Sequence, residues 1–348
     1  MGRFEVDGQP NAPLRVVQGI AAPGEKMRRI FVVGCPRSGT TLVQAMIARH
    51  PDVFSLRETY FFESLLGDAQ VRWGDREARS TRRWYHRAGM AQSWGRRRLH
   101  ELERVHAPRR RGPMPRRWTA CARRYATMLD DAAGRQQRIH WVEKTPNHLL
   151  FLDEIADCIP DAQFVHVLRN GVDVVASVRD ADMQLETRAF SGGMVRWARR
   201  WNHAMEMHLA RMGAARHHLL CIEDLIGDTE NEWQMLRDFL VLDPGKPLLA
   251  HPGCEVADAQ AEPWKTSAIT GIVKSVSGKS QALFGAQSLA WLREHLVNYE
   301  TIRDAVHEQH RRSPLKPGRQ GEVAGRRCTA VHNSAGKSQP AGRRMTPL

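Results

Sequence analysis

The run that most constrains this chain is Arg28 to Pro51, RRIFVVGCPRSGTTLVQAMIARHP. Arg29 to Gly34 is a short apolar stretch ending in glycine, which reads as a buried strand. Thr40 to Arg49 carries Leu42, Met46 and Ile47 at helical spacing. His50-Pro51 stops that helix, because the residue before a proline disfavours the helical conformation. Gly34 and Gly39 stand where a phosphate-binding loop of the form G-x-x-x-x-G-K-[ST] has its two glycines, yet Thr40 holds the lysine position. In a strand–loop–helix of this kind the backbone N–H groups converge and the helix N-terminus adds its dipole, so an anion is held without lysine. The lysine of a P-loop reaches the β- and γ-phosphates, so a loop without it favours a ligand lacking a polyphosphate chain. Arg37, Ser38, Gly39, Thr40 and Thr41 are the candidate donors, and Arg37 offers a planar fork to an oxyanion. An empty glycine turn is the bland alternative; the strand before and the helix after weigh against it.

The rest of the chain repeats the strand–helix alternation. A second strand near Val53–Leu56 leads into Arg57-Glu58-Thr59. Strands are predicted over Ile139–Val142, Gln163–Leu168 and Leu219–Ile222, and helices over Asn147–Cys158, from Val172, over Arg196–Met212, Glu230–Leu240 and Ser288–Glu308. This pattern predicts a three-layer α/β fold, with a central parallel sheet of the P-loop nucleotide hydrolase type covered on both faces. Residues 68–138 break the pattern and read as an insertion of short basic helices between proline-containing breaks. Residues 1–27 read as a flexible arm, 28–310 as the folded domain, and 311–348 as a disordered basic tail.

Charge has to be located before it is interpreted. The 348 residues carry a formal net charge of +14. Asp68 to Arg124 holds 17 Arg against 5 Asp and Glu, and Arg311 to Leu348 holds 9 Lys and Arg against 1 Glu; the remainder is net acidic. The basicity therefore belongs to one internal segment and one tail. That suits a site for anionic ligands at least as well as nucleic-acid binding. The 6 cysteines are scattered with no C-x-x-C pair, which suggests neither a zinc site nor a disulfide framework and fits a reducing compartment. No apolar run approaches the roughly 18 residues of a membrane span, and the N-terminus has no signal-peptide core. A cytoplasmic protein is the expectation.

CPRSGTTL after an apolar strand resembles the 5′-phosphosulfate loop of sulfotransferases that use 3′-phosphoadenosine 5′-phosphosulfate (PAPS). That donor has no β- or γ-phosphate, and the family dispenses with a metal. The resemblance extends to FVHVLRNGVDVVASVRD, in which Arg169 ends a strand and Ser177 follows eight residues later. It implies that Arg169 and Ser177 hold the donor's 3′-phosphate, a guanidinium and a hydroxyl converging on one anion. WVEKTPNH resembles a segment of bacterial sulfotransferases and implies that Lys144 meets the bridging oxygen or the sulfuryl group. Glu143 could pair with a neighbouring cation, and Thr145 or Asn147 could cap the next helix. His50-Pro51-Asp52-Val53 followed by Glu58-Thr59 is similar to tyrosylprotein sulfotransferases and implies Glu58 as the general base. His50, His148 and His166 are fallback bases. Trp197 and Trp201, four residues apart in RWARRWN, read as core packing.

Two departures matter. Ile222 stands where many members have a tyrosine before Glu-Asp-Leu, and Ala181 stands where tyrosylprotein sulfotransferases place an arginine, although Arg179 is close. These put a peptidyl-tyrosine acceptor in doubt. The resemblance covers about residues 28–240, with 68–138 unmatched, and the Lys265–Lys279 stretch is a candidate cover for the donor. It implies transfer of a sulfuryl group from PAPS to a hydroxyl or amine of a carbohydrate, lipid, small metabolite or peptide, with an anionic acceptor suiting the Arg-rich insert. The catalytic candidates are thus Glu58, Lys144 and Arg37. A P-loop kinase or NTPase would instead need ATP and magnesium. A nucleic-acid binder using the Arg-rich segments would leave both phosphate motifs unexplained, and a non-catalytic adaptor on the same fold is a further alternative.

Overall fold

The computed structural model describes residues 26–75, 87–110, 112–184, 190–254, 256–257, 266–270 and 279–312. Five strands, β1 (Arg29–Gly34), β2 (Val53–Ser55), β3 (His140–Lys144), β4 (Ala162–Leu168) and β5 (His217–Cys221), form one sheet in the order β2-β3-β1-β4-β5. Every pairing is parallel. Parallel neighbours need crossover connections, so helices cover both faces, and the fold is the three-layer α/β arrangement that the sequence predicts.

The unbroken IFVV of β1 has a physical reason, since both of its faces are buried. Ile30 and Val32 pack with Val43, Met46, Ile47, Leu236 and Phe239 on one side of the sheet. Phe31 and Val33 pack with Tyr125, Leu129, Trp141 and Phe164 on the other. The Phe31 ring meets Trp141 edge-on at 5.3 Å and stacks on Phe164 at 5.8 Å. Such pairs add about 0.5–1.5 kcal/mol each beyond their buried area. Arg29 donates to Asp130 and Asp161, each at 2.7 Å, and the Trp141 indole donates to Asp130 at 2.8 Å. These bonds fasten the start of the sheet to the helix Trp118–Arg135.

The Arg-rich segment differs from its expectation. Its described residues include two helices of 14 and 18 residues, Ser93–His106 and Trp118–Arg135, besides the short Ala69–Arg72, where only short helices were expected. Pro108, Pro113 and Pro115 confine the break to one linker. Trp118, Cys121, Ala122, Tyr125, Leu129 and Ala133 are buried, so the second helix belongs to a core layer. Within the segment, Arg124 forks Glu103, Arg110 pairs with Asp131 at 2.8 Å, and Arg72 pairs with Glu154 at 2.5 Å.

Three other elements shift. β3 continues to Lys144, past the expected end at Val142. The helix predicted over Asn147–Cys158 is a 3₁₀ stretch, Pro146–Phe151, followed by Leu152–Cys158. The single helix predicted over Ser288–Glu308 is two, Ala286–His295 and Tyr299–Arg312. Asn202 makes that break: its amide donates to the His295 carbonyl at 2.8 Å and accepts from the Val297 N–H at 3.0 Å. Asn298 then accepts the Thr301 N–H at 3.2 Å and starts the second helix. The arm expected over 1–27 and the tail over 311–348 lie outside the described residues, apart from Lys26, Met27, Arg311 and Arg312.

The sheet order places β1 between β3 and β4, where the chain reverses its direction of progress across the sheet. Ligands of such folds bind in the crevice outside the carboxyl ends of the strands at that switch point.

Candidate active site

The glycine loop stands at that crevice. A Cβ on Gly34 would lie 2.6 Å from the Val167 carbonyl oxygen, so only glycine allows β1 and β4 to close there. The loop then turns through left-handed backbone at Arg37 (φ 75°) and Gly39 (φ 95°). For Arg37, a residue with a side chain, that conformation costs on the order of 1–3 kcal/mol, the kind of strain that clusters at ligand sites. A Cβ on Gly39 would lie 2.9 Å from Ile222 Cδ1. Ile222, which stands in the family's tyrosine position, thus packs under the loop. The helix Thr40–Ile47 begins after Gly39 with no side-chain cap; the Gly39 carbonyl accepts the Leu42 and Val43 N–H groups at 3.0 and 3.3 Å, which leaves those of Thr40 and Thr41 without an intrahelical acceptor. Ser38 Oγ is fully buried and has no hydrogen-bond partner among the described residues.

Two residues remote in sequence meet this loop. Arg37 Nε donates to Ser177 Oγ at 3.1 Å, and Arg169 Nη1 donates to the Arg37 carbonyl at 3.3 Å. Ser177 lies in the helix Gly171–Gln184, and Arg169 immediately follows β4. The Trp201 indole donates to the Arg169 carbonyl at 3.0 Å and holds its backbone in place. Burial first, and then the charge of Arg169, hold the Arg37 guanidinium below its ordinary range. No ion pair neutralises Arg37 or Arg169 among the described residues. Two guanidiniums outside any close ion pair, beside the loop amides and an orphaned hydroxyl, fit an anionic ligand.

Glu58 and Lys144 meet on the other side of the loop. Lys144 is the last residue of β3 and is fully buried. Its Nζ donates to Thr41 Oγ1 at 3.1 Å and to the Glu58 carboxylate. Glu58 leaves the end of β2 on the turn before the helix Phe61–Leu66. The candidates therefore gather in two groups flanking the loop, Arg37 with Arg169 and Ser177, and Thr41 with Lys144 and Glu58. Thr40 lies buried at the helix start between them.

The fallback bases lie elsewhere. His50 accepts the Asp52 N–H at 3.3 Å and meets the Asp243 carbonyl at 3.1 Å. His166 is buried against His208 and His217, at 2.8 and 2.9 Å. His148 is bound to Glu143 at 2.9 Å. Thr145 and Asn147 do not cap the following helix: Thr145 Oγ1 donates to Glu143, and Asn147 is held by Trp73 and Glu63. Glu143 correspondingly pairs with hydroxyls and an imidazole, where a cation was expected. Arg179 turns to Asp182 at 3.6 Å. Most of the Lys265–Lys279 stretch lies outside the described residues; within it Ile269 packs on the core beside the helix Thr40–Ile47.

The family model described as "Sulfotransferase family" matches residues 29–244. This chain belongs to the sulfotransferase family. The matched range includes residues 68–138, which the motifs left unmatched. Protein-tyrosine sulfotransferase 1 of Danio rerio is 39% identical over 77 residues, 20% of this chain and 22% of that protein. The chain thus spans about a fifth of that curated relative's length. Among solved structures, the sulfotransferase domain from the Synechococcus PCC 7002 olefin synthase is 19% identical, with a TM-score of 0.39, covering 77% of this chain and 85% of that one. A mouse sulfotransferase complexed with PAP is 13% identical, with a TM-score of 0.41, covering 81% and 88%.

In this sulfotransferase the motifs did not reveal Arg98, Tyr125 or the roles of Thr59 and Trp201. Arg98 donates to the carbonyls of Thr59 (2.7 Å) and Glu58 (3.4 Å) from the helix Ser93–His106. Thr59 Oγ1 lies 3.0 Å from the Tyr125 hydroxyl. Only WVEKTPNH carried a usable signal, since Glu143, Thr145 and His148 sit beside Lys144 in it.

Proposed function

We propose that this sulfotransferase moves the sulfuryl group of PAPS to a hydroxyl or amine of an acceptor, leaving adenosine 3′,5′-bisphosphate. The observation that carries the reading is the meeting of Arg37, Arg169 and Ser177 at a glycine loop with no lysine. One group of donors suits a 5′-phosphosulfate on the loop, through Arg37, Ser38, Gly39, Thr40 and Thr41. The other suits a 3′-phosphate, through Arg169 and Ser177. A nucleoside triphosphate would use the first and leave the second empty.

The acceptor's lone pair attacks sulfur as the bond from sulfur to the bridging oxygen breaks, and that electron pair passes to the leaving phosphate. The acceptor's proton goes to the Glu58 carboxylate. Lys144, Arg37 and the loop amides offset charge growing on the phosphate, so this chain's own cations serve where a kinase uses a metal. Positioning and charge stabilisation supply most of the rate, as in phosphoryl transfer. A carbohydrate, lipid, small metabolite or peptide acceptor is compatible with this chemistry. Among the described residues no helix is long and apolar enough to cross a membrane, and the described cysteines are free, which fits a cytoplasmic setting.

Thermal stabilisation by adenosine 3′,5′-bisphosphate in EDTA, compared with ATP and magnesium, tests the reading. Stabilisation by the bisphosphate without metal is expected. A shift only with ATP and magnesium would overturn it in favour of a kinase or NTPase.

A further inference from the structure

Glu143 lies next to Lys144 on β3 but points to the opposite face of the sheet, where it is fully buried. A buried carboxylate is costly unless hydrogen bonds satisfy it. Glu143 accepts three. Thr59 Oγ1 and Thr145 Oγ1 donate to its Oε1 at 2.8 and 2.6 Å, and His148 Nδ1 lies 2.9 Å from its Oε2.

The direction of each bond follows by elimination. The Phe62 N–H donates to His148 Nε2 at 3.3 Å, so that nitrogen is an acceptor, and Nδ1 carries the proton given to Glu143. Thr59 has spent its proton on Glu143, so the Tyr125 hydroxyl, 3.0 Å away, donates to it. Each group that gives a proton to Glu143 thereby presents a lone pair elsewhere.

Those lone pairs all face one short segment. Thr145 Oγ1 accepts the N–H of Thr59 at 3.2 Å and of Tyr60 at 3.3 Å. Thr59 Oγ1 accepts the Phe61 N–H at 3.3 Å, and His148 Nε2 accepts that of Phe62. Four successive amides, Thr59 to Phe62, are satisfied by three side chains that one carboxylate orients. They are the start of the helix Phe61–Leu66, whose own N-cap residue, Tyr60, is left-handed (φ 50°) and makes no side-chain cap. Arg98 holds the carbonyls of Glu58 and Thr59 from the opposite side.

We infer that Glu143 is a positioning residue, whose buried carboxylate fixes the Thr59–Phe62 turn to β3 and so sets Glu58 against Lys144. The inference rests on the assignment of Glu58 as base. Glu143→Gln would place an amide N–H₂ against groups that must donate, and the turn would lose its register. Thr145→Val removes one of the three acceptors with little change in volume, whereas Thr145→Ser keeps its hydroxyl.

The test combines two readouts on the full chain. One is hydrogen exchange at the amides of residues 59–62. The other is release of adenosine 3′,5′-bisphosphate from PAPS, with water or p-nitrophenol as the probe acceptor. For Glu143→Gln and Thr145→Val, amide protection should be lost and kcat should fall on the order of 10²-fold, the scale of an ångström-level misplacement. KM for PAPS should stay within about twofold, and Thr145→Ser should behave as wild type. Protection retained in both variants, or lost with kcat unchanged, would overturn the inference. So would a parallel loss of bisphosphate binding, which marks general collapse. Because exchange is read without turnover, a mistaken base shows separately, as normal turnover by Glu58→Ala.

Discussion

Arg37 donates from Nε to Ser177 Oγ across 3.1 Å, although the two residues stand 140 apart in the chain. Arg169 bonds the carbonyl of the same arginine. The glycine loop, the end of β4 and the middle of the helix Gly171–Gln184 are therefore one hydrogen-bonded unit. Groups in direct contact couple, by about 0.5–3 kcal/mol, so the losses from Arg37→Ala and Ser177→Ala in bisphosphate affinity should not add in the double variant.

The 3′-phosphate half can be separated from the 5′ half by choice of nucleotide. Arg169→Ala and Ser177→Ala should each weaken adenosine 3′,5′-bisphosphate by roughly 10- to 100-fold, since a hydrogen bond to a charged group contributes about 1.5–3 kcal/mol. Adenosine 5′-phosphate should bind the variants and the wild type alike. Calorimetric titration of both nucleotides decides the matter, and an equal loss for the two would place Arg169 and Ser177 away from a 3′-phosphate.

Glu58 and Lys144 should separate binding from turnover. Lys144→Ala and Glu58→Ala should keep bisphosphate binding while transfer falls on the order of 10²–10³-fold, the scale for removing one charge stabiliser. Initial rates of PAPS consumption measure this. Normal rates in either variant would remove that residue from the mechanism.

How much of this was legible depended on where the information lay. The glycine loop is local, so Gly34, Arg37 and Gly39 were readable from spacing and the strand before them. Arg169 and Ser177 entered only through the family resemblance of FVHVLRNGVDVVASVRD, and the structure brings both against the glycine loop. The bond from Lys144 to Thr41 joins β3 to the first helix and has no local signature. The core role of the helix Trp118–Arg135 was hidden by its place in an Arg-rich segment: Arg123 and Arg124 extend the basic run, whereas Cys121, Ala122, Tyr125 and Leu129 recur at the period of a buried stripe. The break at Leu296–Asn298 is imposed by Asn202, a tertiary contact no local pattern shows.

Glu232 carries a pH dependence of its own. Burial first, and then the charge of Asp224, push its carboxyl from 4.5 up to about 7. Between those values the folded chain holds a proton that the unfolded chain has released. The contribution of Glu232 to stability should therefore fall as pH rises from about 4.5 to 7, the direction linkage requires when the native state binds more protons, while the buried imidazoles of His140, His208, His217 and His218, held at about 3–4, contribute in the opposite direction. Glu232→Gln should remove that slope and gain on the order of 2 kcal/mol over wild type at pH 8. Melting temperatures of both proteins across this range test it, and parallel curves would contradict it.

Trp201 supplies the last test, because it separates packing from positioning. Its indole is fully buried, lies 2.8 Å from where a Cβ on Gly171 would stand, and donates to the Arg169 carbonyl. Trp201→Phe keeps an aromatic ring but removes the donor, leaving that carbonyl short of a partner at a cost of about 1–3 kcal/mol. If the indole positions Arg169, bisphosphate affinity should fall about tenfold while adenosine 5′-phosphate affinity holds. Gly171→Ala, which drives a methyl into the same ring, should destabilise the fold by about 1–3 kcal/mol and reproduce the selective loss. A lower melting temperature with unchanged affinity for both nucleotides would reduce Trp201 to a core residue and leave Arg169 held by its own strand end.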